Sequence, residues 1–182
     1  LRRGTSIVVS PLKALMTEQV SALLRKKVPA TFINSDLSGS EKEVRFSWLS
    51  QGAVKLLYLA PERFFVQSEQ ERRNLKAVKP SFLVVDEAHC VDQWGRDFRR
   101  EYSRLNEVRE KLGAPPVLAF TATAGKEMQQ RILSSLGIPD AQVFVRDIDR
   151  PNIALLRWRC PEDERPAEIA SLLALKDLGN DK

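Results

Sequence analysis

Phe82-Leu83-Val84-Val85-Asp86-Glu87-Ala88-His89 is the stretch that decides the fold. Four apolar residues run without a break into two carboxylates and an imidazole. A strand that is apolar throughout is buried on both faces, as in a parallel sheet covered by helices. In open sheets of that kind, ligands gather outside the carboxyl ends of the strands. Asp86, Glu87 and His89 stand at that end. An isolated Asp-Glu pair more simply opens a solvated loop. On the tip of a buried strand, followed by Ala-His, it favours chemistry. A first acid suits Mg²⁺, held through water because the ion keeps much of its hydration. A neighbouring acid suits the orientation or deprotonation of an attacking water. Both are what nucleotide hydrolysis needs, since phosphoryl transfer depends on positioning and charge stabilisation.

Outward from that strand the apolar period alternates between strand-like and helix-like. Ser6–Val9 is a β-branched strand, and Ser10-Pro11 reads as an N-cap followed by proline at the first helical position. Leu12, Leu15, Met16, Val20, Leu23 and Leu24 share one helical face, closed by Arg25-Lys26-Lys27. Ala30–Ile33 is the next strand. Ser38 and Glu41 form a capping box for a helix through Leu49. Residues 54–59 form a third strand, 69–78 a helix, 81–85 a fourth strand and 101–112 a helix. Residues 116–120 form a fifth strand, and Thr121 to Ala124 lead into a helix stopped by Gly137. Residues 142–145 could add a sixth strand. Strands alternating with helices predict an α/β fold, a doubly wound parallel sheet flanked by helices.

The chain has 182 residues, enough for one domain plus part of another. Apolar residues make up 43% and charged residues 29%, the balance of a globular protein with a core. No stretch approaches the ~20 apolar residues of a membrane span. Cys90 and Cys160 are far apart, which argues against a disulfide framework. The single histidine, His89, excludes a site built on several. A net charge of +5 is compatible with a nucleic-acid partner. Trp48 and Trp158 read as packing residues.

Asp86-Glu87-Ala88-His89 resembles the DEAH form of the Walker B motif of superfamily 2 helicases. The residues after it narrow the likeness: Cys90-Val91-Asp92-Gln93-Trp94-Gly95-Arg96-Asp97-Phe98-Arg99 is similar to the aromatic-rich loop of RecQ helicases. Val8-Val9-Ser10-Pro11-Leu12-Lys13 resembles motif Ia, Leu57-Tyr58-Leu59-Ala60-Pro61-Glu62-Arg63 the segment before motif II, and Phe120-Thr121-Ala122-Thr123 motif III. Asp149-Arg150-Pro151-Asn152-Ile153 looks like the junction into a second RecA-like domain. The resemblance implies a RecA-like first domain over residues 1–148, lacking its first strand and phosphate-binding loop. Residues 149–182 would be a linker and the beginning of the second domain.

The resemblance also implies roles. ATP and Mg²⁺ would be the cofactors, with Asp86 holding the ion through water and Glu87 as catalytic base. His89 would link the nucleotide site to the loop. Gln93, Trp94, Arg96, Phe98 and Arg99 would sense single-stranded DNA. Thr121 and Thr123 would couple hydrolysis to domain movement, and Ser10 and Pro11 would lie near the DNA backbone. Single-stranded and duplex DNA would be the partners, in 3′ to 5′ unwinding for repair or recombination. The setting would be a bacterial cytoplasm, or a nucleus in a eukaryote. The loop's chemistry fits independently, because aromatic faces stack on any base and arginines neutralise phosphate. Core pinning by Trp94 and Phe98 stays open beside that reading.

No Gly-x-x-x-x-Gly-Lys-[Ser/Thr] occurs in the sequence, and Gly125-Lys126 lacks both the earlier glycine and the following hydroxyl residue. In the family that loop precedes motif Ia. The chain alone is therefore expected to hydrolyse ATP negligibly. Two departures from the RecQ pattern stand out: Lys13, where an aliphatic residue is usual, adds charge to the motif Ia path, and Arg100 replaces a proline. The alternative to an enzyme is a non-enzymatic nucleic-acid-binding helicase-like module. A DEAD/DEAH RNA helicase is a third reading, which the Gln-Trp-Gly loop opposes.

Overall fold

The structure is a computed structural model that describes residues 4–91, 101–145 and 159–174, of which 172–174 by backbone alone. Five short strands form one parallel sheet in the order β2-β3-β1-β4-β5. They are β1 (Ser6–Val9), β2 (Ala30–Ile33), β3 (Leu56–Leu59), β4 (Leu83–Val85) and β5 (Val117–Ala119). Between them run α1 (Lys13–Arg25), α2 (Gly39–Ser50), α3 (Glu69–Ala77) and α4 (Leu105–Lys111), and α5 (Lys126–Ser135) follows β5. The chain divides into two compact units, Leu1–Gln142 and Val143–Lys182. The second contains α6 (Arg165–Ala174).

Alternation along each strand sorts the core onto the two faces. Ile7, Val9, Ile33, Leu57, Leu59, Leu83 and Val85 pack with Phe46 of α2, Leu75 of α3, Leu105 and Val108 of α4 and Ile132 of α5. Val8, Ala30 and Tyr58 point the other way, against Met16 and Val20 of α1. Helices thus cover both faces, as the apolar strands require. Cover fails on one side: Leu118 of β5 is 44% exposed and Phe120 57%.

Local signals explain several boundaries. Ser38 accepts a hydrogen bond from the Glu41 amide, and the Glu41 carboxylate accepts one from the Ser38 amide, the capping box expected for α2. Gly137, at φ +66°, ends α5 in the left-handed conformation that glycine adopts freely.

Other expectations are corrected. Ser10 and Pro11 do not begin α1; the helix starts at Lys13, with Leu12 as an N-cap that offers no side-chain oxygen. Ser10 is fully buried and its amide still donates to Leu59 O at 3.0 Å, so the chain has not yet left the sheet. Leu12 and Leu24 are exposed and off the buried face, and Trp48 is exposed rather than packed. The helix expected over 101–112 is a 3-10 turn at Tyr102–Arg104 followed by α4. Residues 142–145 form no strand; Val143, Phe144 and Val145 are exposed and pair with none of the described strands. The junction at 149–153 lies outside the described residues.

Candidate functional site

β1, β4 and β5 are neighbours, so their carboxyl ends form one continuous ledge. Backbone bonds carry the sheet's register past the strand ends. The Asp86 amide donates to Val9 O at 2.9 Å, the Phe120 amide to Val85 O at 2.9 Å, and the Ala88 amide to Phe120 O at 2.8 Å. Ser10, Asp86 and Thr121, each just beyond its strand, are thereby set side by side.

The acids are held by short-range contacts. The Glu87 amide donates to Asp86 Oδ1 at 3.0 Å. Glu87 itself has φ +48°, a left-handed conformation that costs a non-glycine residue roughly 1–3 kcal/mol and persists only where its surroundings enforce it. A 3-10 turn at Ala88–Val91 follows, with the Cys90 amide donating to Glu87 O at 2.9 Å. The turn brings His89 back towards the ledge. His89 Nδ1 lies 3.3 Å from Glu87 Oε2 and 3.0 Å from Thr121 Oγ1. A proton on Nδ1 satisfies both oxygens, so the neutral Nδ1–H tautomer or the imidazolium fits. Thr121 Oγ1 also accepts from the Thr123 amide at 3.3 Å. Capping of α5 by Thr121 or Thr123 is not observed, because Gly125 occupies the N-cap.

Asp86 has no ion-pair partner among the described residues, and its charge reaches Tyr58. Burial, and then the Asp86 carboxylate, hold the Tyr58 phenol above its ordinary pKa. An uncompensated, partly buried carboxylate beside a second acid is a hard oxygen donor set that fits Mg²⁺ through water. Among the described residues no group of three or more His, Cys, Asp or Glu could hold a metal ion. Magnesium needs none, since it is bound by one or two carboxylates with substrate phosphates.

The structure thus brings together Asp86, Glu87, His89 and Thr121. Thr123 is exposed and joins through its backbone. Ser10 Oγ is buried without a hydrogen-bond partner among the described residues, and Pro11 is half-buried beside it. Lys13 does not add free charge to this edge, because its Nζ lies 2.6 Å from Asp36 Oδ1. Gln93, Trp94, Arg96, Phe98 and Arg99 lie outside the described residues. Sequence reasoning missed Tyr58 and Tyr102. The Tyr102 hydroxyl donates to Asp86 O at 3.2 Å, and its residue is fully buried. An aromatic with a polar tip, two residues from the start of an apolar helix face, was the available signal.

Residues 1–131 match the family model described as DEAD/DEAH box helicase. The chain is 43% identical over 153 residues to the probable ATP-dependent DNA helicase RecS of Bacillus subtilis, covering 84% of this chain and 30% of that one. It is 37% identical over 176 residues to the ATP-dependent DNA helicase RecQ of Pasteurella multocida, covering 97% and 27%. It is 37% identical over 156 residues to the RecQ-like DNA helicase BLM of Xenopus laevis, covering 82% and 11%. The chain therefore spans less than a third of the length of these relatives. The helicase domain of Pyrococcus furiosus Hef superposes with a TM-score of 0.53 at 20% identity, over 93% of this chain and 36% of that one, a likeness of fold. No helix among the described residues is long and apolar enough to cross a membrane. Match, fold and acid-tipped strand agree: the chain belongs to the DEAD/DEAH box helicase family, and its likeness within that family is to the RecQ helicases.

Proposed function

We propose that this chain supplies the acid-bearing part of the first motor domain of an ATP-driven, RecQ-like DNA helicase. The observation that carries the reading is the ledge itself. Asp86 and Glu87 follow a buried parallel strand, and His89 ties Glu87 to Thr121, just beyond the neighbouring strand. The relatives' names add ATP dependence and DNA as substrate.

The reading gives each residue a role. Glu87, whose carboxylate is 36% exposed, orients and deprotonates the attacking water. Asp86 would hold Mg²⁺ through water, the ion neutralising phosphate charge when bound. His89 and Thr121 connect this acid pair to the segment after β5, so a shift of that segment alters the base. Gln93, Trp94, Arg96, Phe98 and Arg99 read single-stranded DNA by stacking and phosphate contact, with Ser10 and Pro11 along the backbone path. Duplex DNA is unwound 3′ to 5′, in repair or recombination. Domain 1 ends near residue 148 and a second RecA-like domain begins at 149. The exposed Leu118 and Phe120 favour a further element against β5, where a strand carrying the phosphate-binding loop would fit.

The test is ATP hydrolysis by the protein extended through its flanking coding sequence, with and without single-stranded DNA. The expected result is DNA-stimulated turnover that Glu87→Gln abolishes, and that Trp94→Ala reduces to its basal rate. The 182-residue chain alone is expected to turn over negligibly. Binding of DNA with no turnover in the extended protein would replace the enzyme by the non-enzymatic module.

A further inference from the structure

The peptide between Asp86 and Glu87 is held at both ends. Its N–H is taken by Asp86 Oδ1 at 3.0 Å and its carbonyl by the Tyr102 hydroxyl at 3.2 Å. The orientation of this peptide sets φ of Glu87, which stands at +48°. A non-glycine residue held there relaxes when its restraints go. Tyr102 lies 16 residues further along the chain and only two residues past the segment 92–100. Its ring is fully buried in the same core cluster as Ala88, Val91 and Leu105. A side chain fixed in that core thus rests its hydroxyl on the peptide of the two acids.

We propose that Tyr102 is a positioning residue that keeps Glu87 in its left-handed conformation. Without the hydroxyl on Asp86 O the Asp86–Glu87 peptide turns, and the Glu87 carboxylate swings with it. No bond is made or broken, so only the fraction of molecules with a well-placed base changes. The effect on turnover rests on the proposed helicase function, whereas the effect on the Glu87 backbone does not.

The test uses the protein extended through its flanks, as wild type, Tyr102→Phe and a core control, Ile132→Val. Tyr102→Phe keeps the buried ring and removes only the hydroxyl. Its DNA-stimulated kcat is expected to fall about three- to tenfold, the equivalent of ~0.6–1.4 kcal/mol for one net hydrogen bond, with KM for ATP within about twofold. Ile132→Val is expected to lower Tm at least as much and leave kcat unchanged. A crystal structure of Tyr102→Phe supplies the second readout, in which Glu87 is expected to leave positive φ. If Glu87 stays near +48°, or if kcat falls equally in both variants, the proposal is overturned. If the wild type shows no turnover, the helicase reading fails, and the crystallographic arm still decides whether Tyr102 positions Glu87.

Discussion

The ion pair between Arg63 and Glu71 offers the sharpest stability test. Arg63 sits in the 3-10 turn Pro61–Phe65 after β3, and Glu71 in the first turn of α3. Both residues are 7% exposed. Arg63 Nε donates to Glu71 Oε1 at 2.8 Å, and Arg63 Nη2 meets both carboxylate oxygens. In Glu71→Ala the guanidinium stays buried and cannot shed its proton. Removing one partner of such a pair costs ~3–5 kcal/mol, because a charge is left without compensation. With a urea slope of ~2 kcal/mol/M, the midpoint should fall by ~1.5–2.5 M. Replacing both residues, as Arg63→Met with Glu71→Leu, should recover most of that, since a packed apolar pair is often as stable as the ions it replaces. The assay is equilibrium urea unfolding followed by far-UV circular dichroism. A shift below ~0.5 M for Glu71→Ala would refute the reasoning, because that is the worth of an exposed pair.

Two further outcomes are expected. Gly137→Ala meets a positive φ of 66° and places a Cβ 2.3 Å from Asn106 Oδ1, an atom already buried without a hydrogen-bond partner among the described residues. It should cost ~1–2 kcal/mol, read as a Tm lower by ~2–8 °C, and Asn106→Ala in the same chain should return only the steric part. Thr121→Val removes the oxygen 3.0 Å from His89 Nδ1 while keeping the shape. Turnover of the extended protein should fall about tenfold, with Thr121→Ser restoring it, if one hydrogen bond at this site carries ~1.4 kcal/mol.

The parts of the fold that were legible are those fixed by short-range pattern. The Ser38–Glu41 capping box lies within one helical turn, so four residues suffice to see it. The run before Asp86 announces a buried strand because both of its faces are apolar. The parts that were not legible depend on contacts far along the chain. Ser10 looks like a cap, but it is still bonded to β3 through Leu59 O, which no local pattern reveals. Thr121 leads into the helix after β5, but its hydroxyl is engaged by His89, 32 residues earlier. Lys13 reads as free positive charge until Asp36, 23 residues on, is found against it. Residues 142–145 carry β-branched and aromatic side chains but pair with none of the described strands. Within the site, the acids and His89 were legible, and the tyrosines that hold or feel Asp86 were not.

The pairing of basic residues bears directly on what this ledge can do. Motif Ia and the segment after β3 each bring a basic side chain near the carboxyl edge of the sheet, Lys13 and Arg63. Both are already committed, Lys13 to Asp36 and Arg63 to Glu71. Asp86 and Glu87 meanwhile present two carboxylates, of which Glu87 has only His89 beside it as a potential cation among the described residues. A triphosphate brought to this edge meets like charge, and at short range in a partly buried site that repulsion amounts to several kcal/mol. A bound divalent ion offsets part of it. The rest requires backbone amides and a lysine of the kind a phosphate-binding loop supplies. On the proposed function, the ledge therefore serves the attack on a phosphate that other residues hold.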